Sequence, residues 1–261
     1  MGHERVGFLP KTRRWNDLIK QIGTVYSSGI PVAVIAAQTL HNVQKQYEAL
    51  FKNSVVKASF AFLVAFSHSC RLPDPRNELQ SFEIPIADCP TVFSVVKALR
   101  ERVSSDESVS EYGQLALAAA SDAVYQWYKQ HATTQIPLFE PSNKFFESWR
   151  GLGNGAGFCE LARLYFGKLT ERYLNYFLDR VASAAIPSIE QREQFQQDIH
   201  SHIDDISKHA FESAKITQSF AAGWFNAHTR EGLPDAKEIE GFLNIAFGKL
   251  RDELRREEEA K

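Results

Sequence analysis

Apolar positions recur at intervals of three and four along most of the chain, so helices account for most of its pattern. An amphipathic first helix places Trp15, Leu18, Ile19 and Ile22 on one side. From Pro31 to about Phe51 a second run begins with proline at a first-turn position, where its missing N–H costs nothing. The segment from about Ser54 to Ser69 is apolar on nearly all sides, which predicts a central helix. Four prolines between Arg71 and Pro90 forbid one regular helix there, and SFEIPIAD is expected to give a short extended piece near 81–88. Asp88 is expected to cap a helix over roughly Pro90 to Val103.

The polar stretch SSDESVS reads as a linker, ending in a capping box of Ser108 with Glu111 ahead of a helix to about His131. A proline-flanked loop, Thr133 to Pro141, carries Leu138 and Phe139. Helices follow from Asn143 to Arg150 and, after a glycine-rich turn, from about Ala156 to Ala184. Ser188 with Gln191 predicts the cap of a helix running from Ile189 to His228, with Ile199, Ile203, Ile206, Ala210, Phe220 and Trp224 on one seam. Asp235 with Glu238 caps the last helix, which carries Ile239, Leu243, Ala246, Leu250 and Leu254. The expected fold is therefore all-α, a multi-helix bundle of about seven to nine helices with long C-terminal ones. Residues 1–261 read as a single helical domain, with 1–103 as a basic subdomain and 108–261 as an acidic one.

Length and composition leave that picture standing. The 261 residues are 44% hydrophobic and 24% charged, which suits a folded core and excludes wholesale disorder. Cys70, Cys89 and Cys159 are odd in number and widely spaced, forming neither a disulfide framework nor a CxxC knuckle, and they fit a reducing compartment. The most apolar stretch, ASFAFLVAF, falls well short of the ~20 residues a bilayer span requires. The expectation is a cytoplasmic protein without a membrane partner.

Net charge is only −2, but it is unevenly distributed: residues 1–76 hold ten Lys/Arg against four Asp/Glu. Such asymmetry marks a surface for an acidic partner, or two complementary faces of one molecule, and it allows a homo-oligomer. Within the basic part, Lys11, Arg13 and Arg14 supply phosphate contacts and Trp15 a ring on which a base could stack. The competing reading of this element is an amphipathic helix with Trp15 turned inward.

Three further features bear on chemistry. In the turn Gly151, Gly153, Gly155 and Gly157, backbone N–H groups at a helix start could receive an anion. A helix precedes that turn, so the dinucleotide context is missing, and the alternative is a joint whose glycines allow positive φ or close packing. Asp198, His202, Asp205, His209 and Glu212 fall in steps of four and three on one helix face, where a divalent metal could be shared, with Glu160 or Glu171 facing. The alternative is a solvated flank of i, i+4 pairs. Leu138 and Phe139 are the expected protein-docking residues of the proline-flanked loop.

No catalytic motif is present, no cofactor is expected, and the divalent metal is the one candidate ion. The function read from the sequence is a non-catalytic helical interaction subunit of a larger protein or protein–nucleic-acid complex. The alternative is a metal-dependent or phosphate-ligand-processing enzyme using the His/Asp stripe or the glycine turn.

Overall fold

The computed structural model describes residues 9–86, 91–104, 110–131, 142–212 and 219–259. Among these there is no strand, and the chain is all-α. Twelve α-helices follow in order: α1 (Arg13–Gly23), α2 (Val25–Ser28), α3 (Val32–Ala49), α4 (Ser54–Ser69), α5 (Pro75–Ser81), α6 (Val92–Ser104), α7 (Glu111–His131), α8 (Ser142–Trp149), α9 (Gly155–Ala185), α10 (Ile189–Glu212), α11 (Phe220–His228) and α12 (Ala236–Glu259). The expected seven to nine rise to twelve for three local reasons. One-turn α2 and seven-residue α5 are too short to leave a periodic signature. The expected helix Ile189–His228 is two, because Ser219 turns extended (φ −49°, ψ 147°) and its side chain accepts from the Ala222 N–H as the cap of α11.

The caps show what starts each helix. Thr12 caps α1, and Asn53 caps α4 by accepting from the N–H groups of Val55 and Val56. Thr91 caps α6 through the Ser94 N–H, while the expected cap Asp88 lies outside the described residues. The cap of α7 lies two residues later than the proposed one: Ser110 accepts from the Gly113 N–H, and Ser108 too lies outside the described residues. Asp235 and Glu238 form a reciprocal capping box, each side chain accepting from the other's N–H at 2.8 Å. Residues 84–86 have no regular structure, so the described part of the expected extended piece pairs with nothing as a strand.

Helix α9 is the axle of the molecule. It is buried along nearly its whole length, and α1, α7, α10 and α11 all pack on it. Its aromatic residues Tyr165, Phe166, Tyr173 and Phe177 are core, as a helix apolar on more than one face must be. Helix α12 lies against α3, α4 and α10, closing the C-terminal part over the N-terminal one. Buried tyrosines keep their hydroxyls bonded: Tyr47 meets Thr170, Tyr165 donates to the Val56 carbonyl, and Tyr173 donates to that of Val43. Val43 is also where α3 leaves helical geometry (φ −115°, ψ 16°). No single described helix is long and apolar enough to cross a membrane; α3 and α4 pass that test only together and are bent by 58°.

One buried charge ties α9 to α10. Arg163, 6% exposed, donates to Asp204 at 2.9 Å, and Lys208 reaches the other Asp204 oxygen at 2.8 Å. Burial pushes the Asp204 carboxyl up, but the hydrogen bonds and charges of Lys208 and Arg163 outweigh it and hold its pKa below the ordinary value. A depressed carboxylate contributes stability that is present above its unfolded pKa of about 3.9 and disappears as pH falls through the lower folded value. Asp204→Asn is therefore expected to be destabilised relative to wild type at neutral pH. That difference should shrink only below about pH 4, as read from urea midpoints across an acid series. A gap that does not change with pH would refute the assignment.

Candidate functional site

Two regions bring basic groups to the surface. The first is the outer face of α1. Its inner face is fixed by Trp15, Leu18 and Ile22, all buried, and Trp15 meets Phe177 edge-on at 6.4 Å. Trp15 is 1% exposed, which removes it as a stacking platform: the aromatic in the basic cluster belongs to the core. Lys11, Arg13 and Arg14 remain outside, the Arg13 side chain 97% exposed. Arg14 Nη1 lies 2.7 Å from His41 Nε2, which seats a guanidinium across the gap between α1 and α3. Lys45, exposed on α3 just past the kink at Val43, extends the basic surface, and Thr12 joins the two helices again through Asn42. The acidic counterweight on α1 is Asp17, which pairs with Arg13 at 4.0 Å and Lys20 at 3.3 Å in exposed contacts of little strength.

The second region is the glycine-rich turn. Helix α8 and a 3-10 turn over Arg150–Gly153 lead into it, and Asn154 caps α9 by accepting from the Gly157 N–H at 2.9 Å. None of its glycines has positive φ. Close approach is what they provide: a Cβ at Gly153 would sit 2.6 Å from the Arg71 backbone N, and one at Gly157 would sit 2.0 Å from the Gly151 carbonyl oxygen. The bend after α4 thus lies directly on the turn, and the Arg71 side chain clamps it. Arg71 donates from Nε to the Gly153 carbonyl at 2.9 Å and from Nη2 to Asn226 Oδ1 at 3.1 Å on α11. Beside this clamp opens a cleft of about 630 Å³ lined by Cys70, Arg71, Leu72, Pro73, Arg150, Gly153, Asn154 and Asn226. Sequence reasoning singled out the glycines and missed both arginines, which no motif connects.

The His/Asp stripe does not gather. Asp198 accepts from the Tyr26 hydroxyl at 2.9 Å and from Gln194 at 2.7 Å, and Asp205 pairs with Lys208. His202 is half-buried and His209 exposed, while the side chain of Glu212 lies outside the described residues. The expected facing carboxylates are taken elsewhere, Glu171 by His200 and Lys168, and Glu160 by His131. Among the described residues no group of three or more His, Cys, Asp or Glu is placed to hold a metal ion. A single helix face supplies neighbours at i, i+4, but a metal also needs ligands converging from a facing helix, and here those ligands point to other partners.

Cys159, near the start of α9, is buried and bonded to the Ser219 hydroxyl. Burial pushes the Cys70 thiol up, so at neutral pH it stays an apolar lining group of the cleft. Leu138 and Phe139 lie outside the described residues. No family model matches the chain, and neither the curated proteins nor the solved structures contain a match to it.

Proposed function

We propose that the protein is a non-catalytic helical interaction subunit that meets an acidic macromolecular partner, nucleic acid first among them, through the outer face of α1 and the adjoining part of α3. The observation that carries this reading is the orientation of α1. Its apolar side is locked into the core by Trp15, Leu18 and Ile22, so Lys11, Arg13 and Arg14 are presented together on a rigid support. Cations mounted this way bind a phosphate backbone by releasing its counterions, at little cost in backbone ordering. With Trp15 internal, recognition on this face is electrostatic and indifferent to base identity.

The test is binding of a single-stranded oligonucleotide, followed by fluorescence anisotropy across a salt series. Replacing Lys11, Arg13 and Arg14 together by alanine is expected to reduce the magnitude of the slope of log K against log salt by about 2. A slope unchanged in the triple variant, or binding indifferent to salt, would overturn the proposal.

A further inference from the structure

The cleft beside the glycine turn has an electrostatic imbalance that packing alone does not explain. Among the described residues, every hydrogen bond made by the Arg71 guanidinium goes to a neutral acceptor: the Gly153 carbonyl, Asn226 Oδ1, and Thr229 Oγ1 at 3.4 Å. Its flat face rests on the Phe225 ring, 4.8 Å from the centroid. No carboxylate among the described residues pairs with it. The loss of water on its packed side lowers its pKa, while its other side stays open to the cleft.

Arg150, exposed at the mouth, has no ion-pair partner among the described residues either. Two arginines therefore line one cavity, and none of its described lining residues is acidic. Arg150, Cys70, Leu72 and Pro73 also border an adjoining recess of about 340 Å³, where Asp74 and Glu147 lie with Arg76. Asp74 is already engaged there as the cap of α5, accepting from the Asn77 N–H.

We infer that this cleft is a binding site for a phosphorylated small molecule, its phosphate held by Arg71 and Arg150 and its remainder lying over Cys70, Leu72 and Pro73. The fit is chemical at each part. Guanidinium groups offer paired N–H donors in the fork geometry that phosphate oxygens accept. Arg71 is held in place by the Gly153 and Asn226 bonds, so little side-chain freedom is lost when an anion arrives. The start of 31-residue α9 opens onto the same cleft at Asn154, adding the positive end of a helix dipole. A volume of about 630 Å³ lies within the range of small-molecule pockets. The site uses none of the α1 residues, so it stands or falls apart from the macromolecular interface proposed above.

Isothermal titration calorimetry with pyrophosphate and with ADP tests it. Wild-type protein is expected to bind both. Arg150→Ala should weaken binding by about tenfold or more, and Arg150→Lys, which keeps the charge but loses the fork, by less. Arg150 is exposed and holds no structural bond, so the unliganded thermal midpoint of Arg150→Ala should match wild type. Lys97→Ala, an exposed cation on α6, should bind as wild type does. Sedimentation with phosphatidic-acid vesicles distinguishes the source of the phosphate. Co-sedimentation that Arg150→Ala abolishes, with no binding of pyrophosphate or ADP, would assign the seat to a lipid headgroup and overturn the soluble-ligand proposal. Absence of binding to all three probes, or affinity unaffected by Arg150→Ala, would overturn it outright.

Discussion

Gly157→Ala and Gly153→Ala are each expected to lower stability by about 3 kcal/mol or more, a fall in Tm of about 6–12 °C for a chain of this size. A Cβ at Gly157 would lie 2.0 Å from the Gly151 carbonyl oxygen and 2.7 Å from its carbon; one at Gly153 would lie 2.6 Å from Arg71 N and 2.8 Å from its Cα. In both cases the obstacle is backbone, which cannot rotate aside as a side-chain tip can. That backbone is itself pinned, by Arg71 on the Gly153 carbonyl and by Asn154 on the Gly157 N–H. Relief would require moving the 3-10 turn away from the bend after α4 in the case of Gly153, and away from the first turn of α9 in the case of Gly157. Gly241 and Gly248 in α12 provide the contrast, since a Cβ at either meets nothing within 4 Å. There alanine is expected to stabilise by up to about 1 kcal/mol through helix propensity alone. Thermal unfolding of the four variants separates the two kinds of glycine, and a Gly157→Ala midpoint equal to wild type would disprove the close approach.

The same turn shows where the sequence stops being informative. Its glycines are visible in any reading, but whether they serve an anion or a close packing depends on what lies opposite, and that is Arg71, more than 80 positions away. Arg71 is one cation in a proline-rich stretch until Gly153, Asn226 and Thr229 are brought around it. Local signals fare better. The Trp15, Leu18 and Ile22 spacing predicts a buried face for α1, and the outcome for Trp15 follows that periodicity over the basic-aromatic composition of its neighbours. Helix α4 is legible to both ends because an all-round apolar run depends on nothing remote.

The break at Ser219 is harder to read. Apolar residues keep their interval of three and four across it, so periodicity runs on where the backbone does not. The available cue is a serine directly before Phe-Ala-Ala, a cap signal that the continuing seam obscures. The metal stripe is limited in another way: its residues share one helix, but a ligand set is a property of two facing helices, and one helix cannot report where Glu160 and Glu171 turn.

Phe60→Ala is expected to cost about 3–5 kcal/mol, because Phe60 is where helices from both ends of the chain meet. It is fully buried and stacks on Phe242 of α12 at 4.8 Å with an interplanar angle of 14°. Phe166 of α9 lies 5.4 Å away, and Phe158 of α9 and Trp224 of α11 lie 6.1 and 6.2 Å away. Truncation leaves a void among rings anchored on three other helices, and rings held that way cannot collapse into it without moving a helix. Phe60 and Phe242 share that void, so their double alanine variant should deviate from the sum of the single ones by about 0.5–3 kcal/mol. Phe93 is the matched control: the same residue type, 79% exposed on α6, should change stability by no more than about 0.5 kcal/mol on replacement by alanine. Denaturant unfolding monitored by far-UV and near-UV circular dichroism gives the four energies. It also shows whether one transition carries both signals, as a core shared by α4, α9, α11 and α12 requires. Separate transitions, or a Phe60 cost no larger than that of Phe93, would mean that these helices do not share one core.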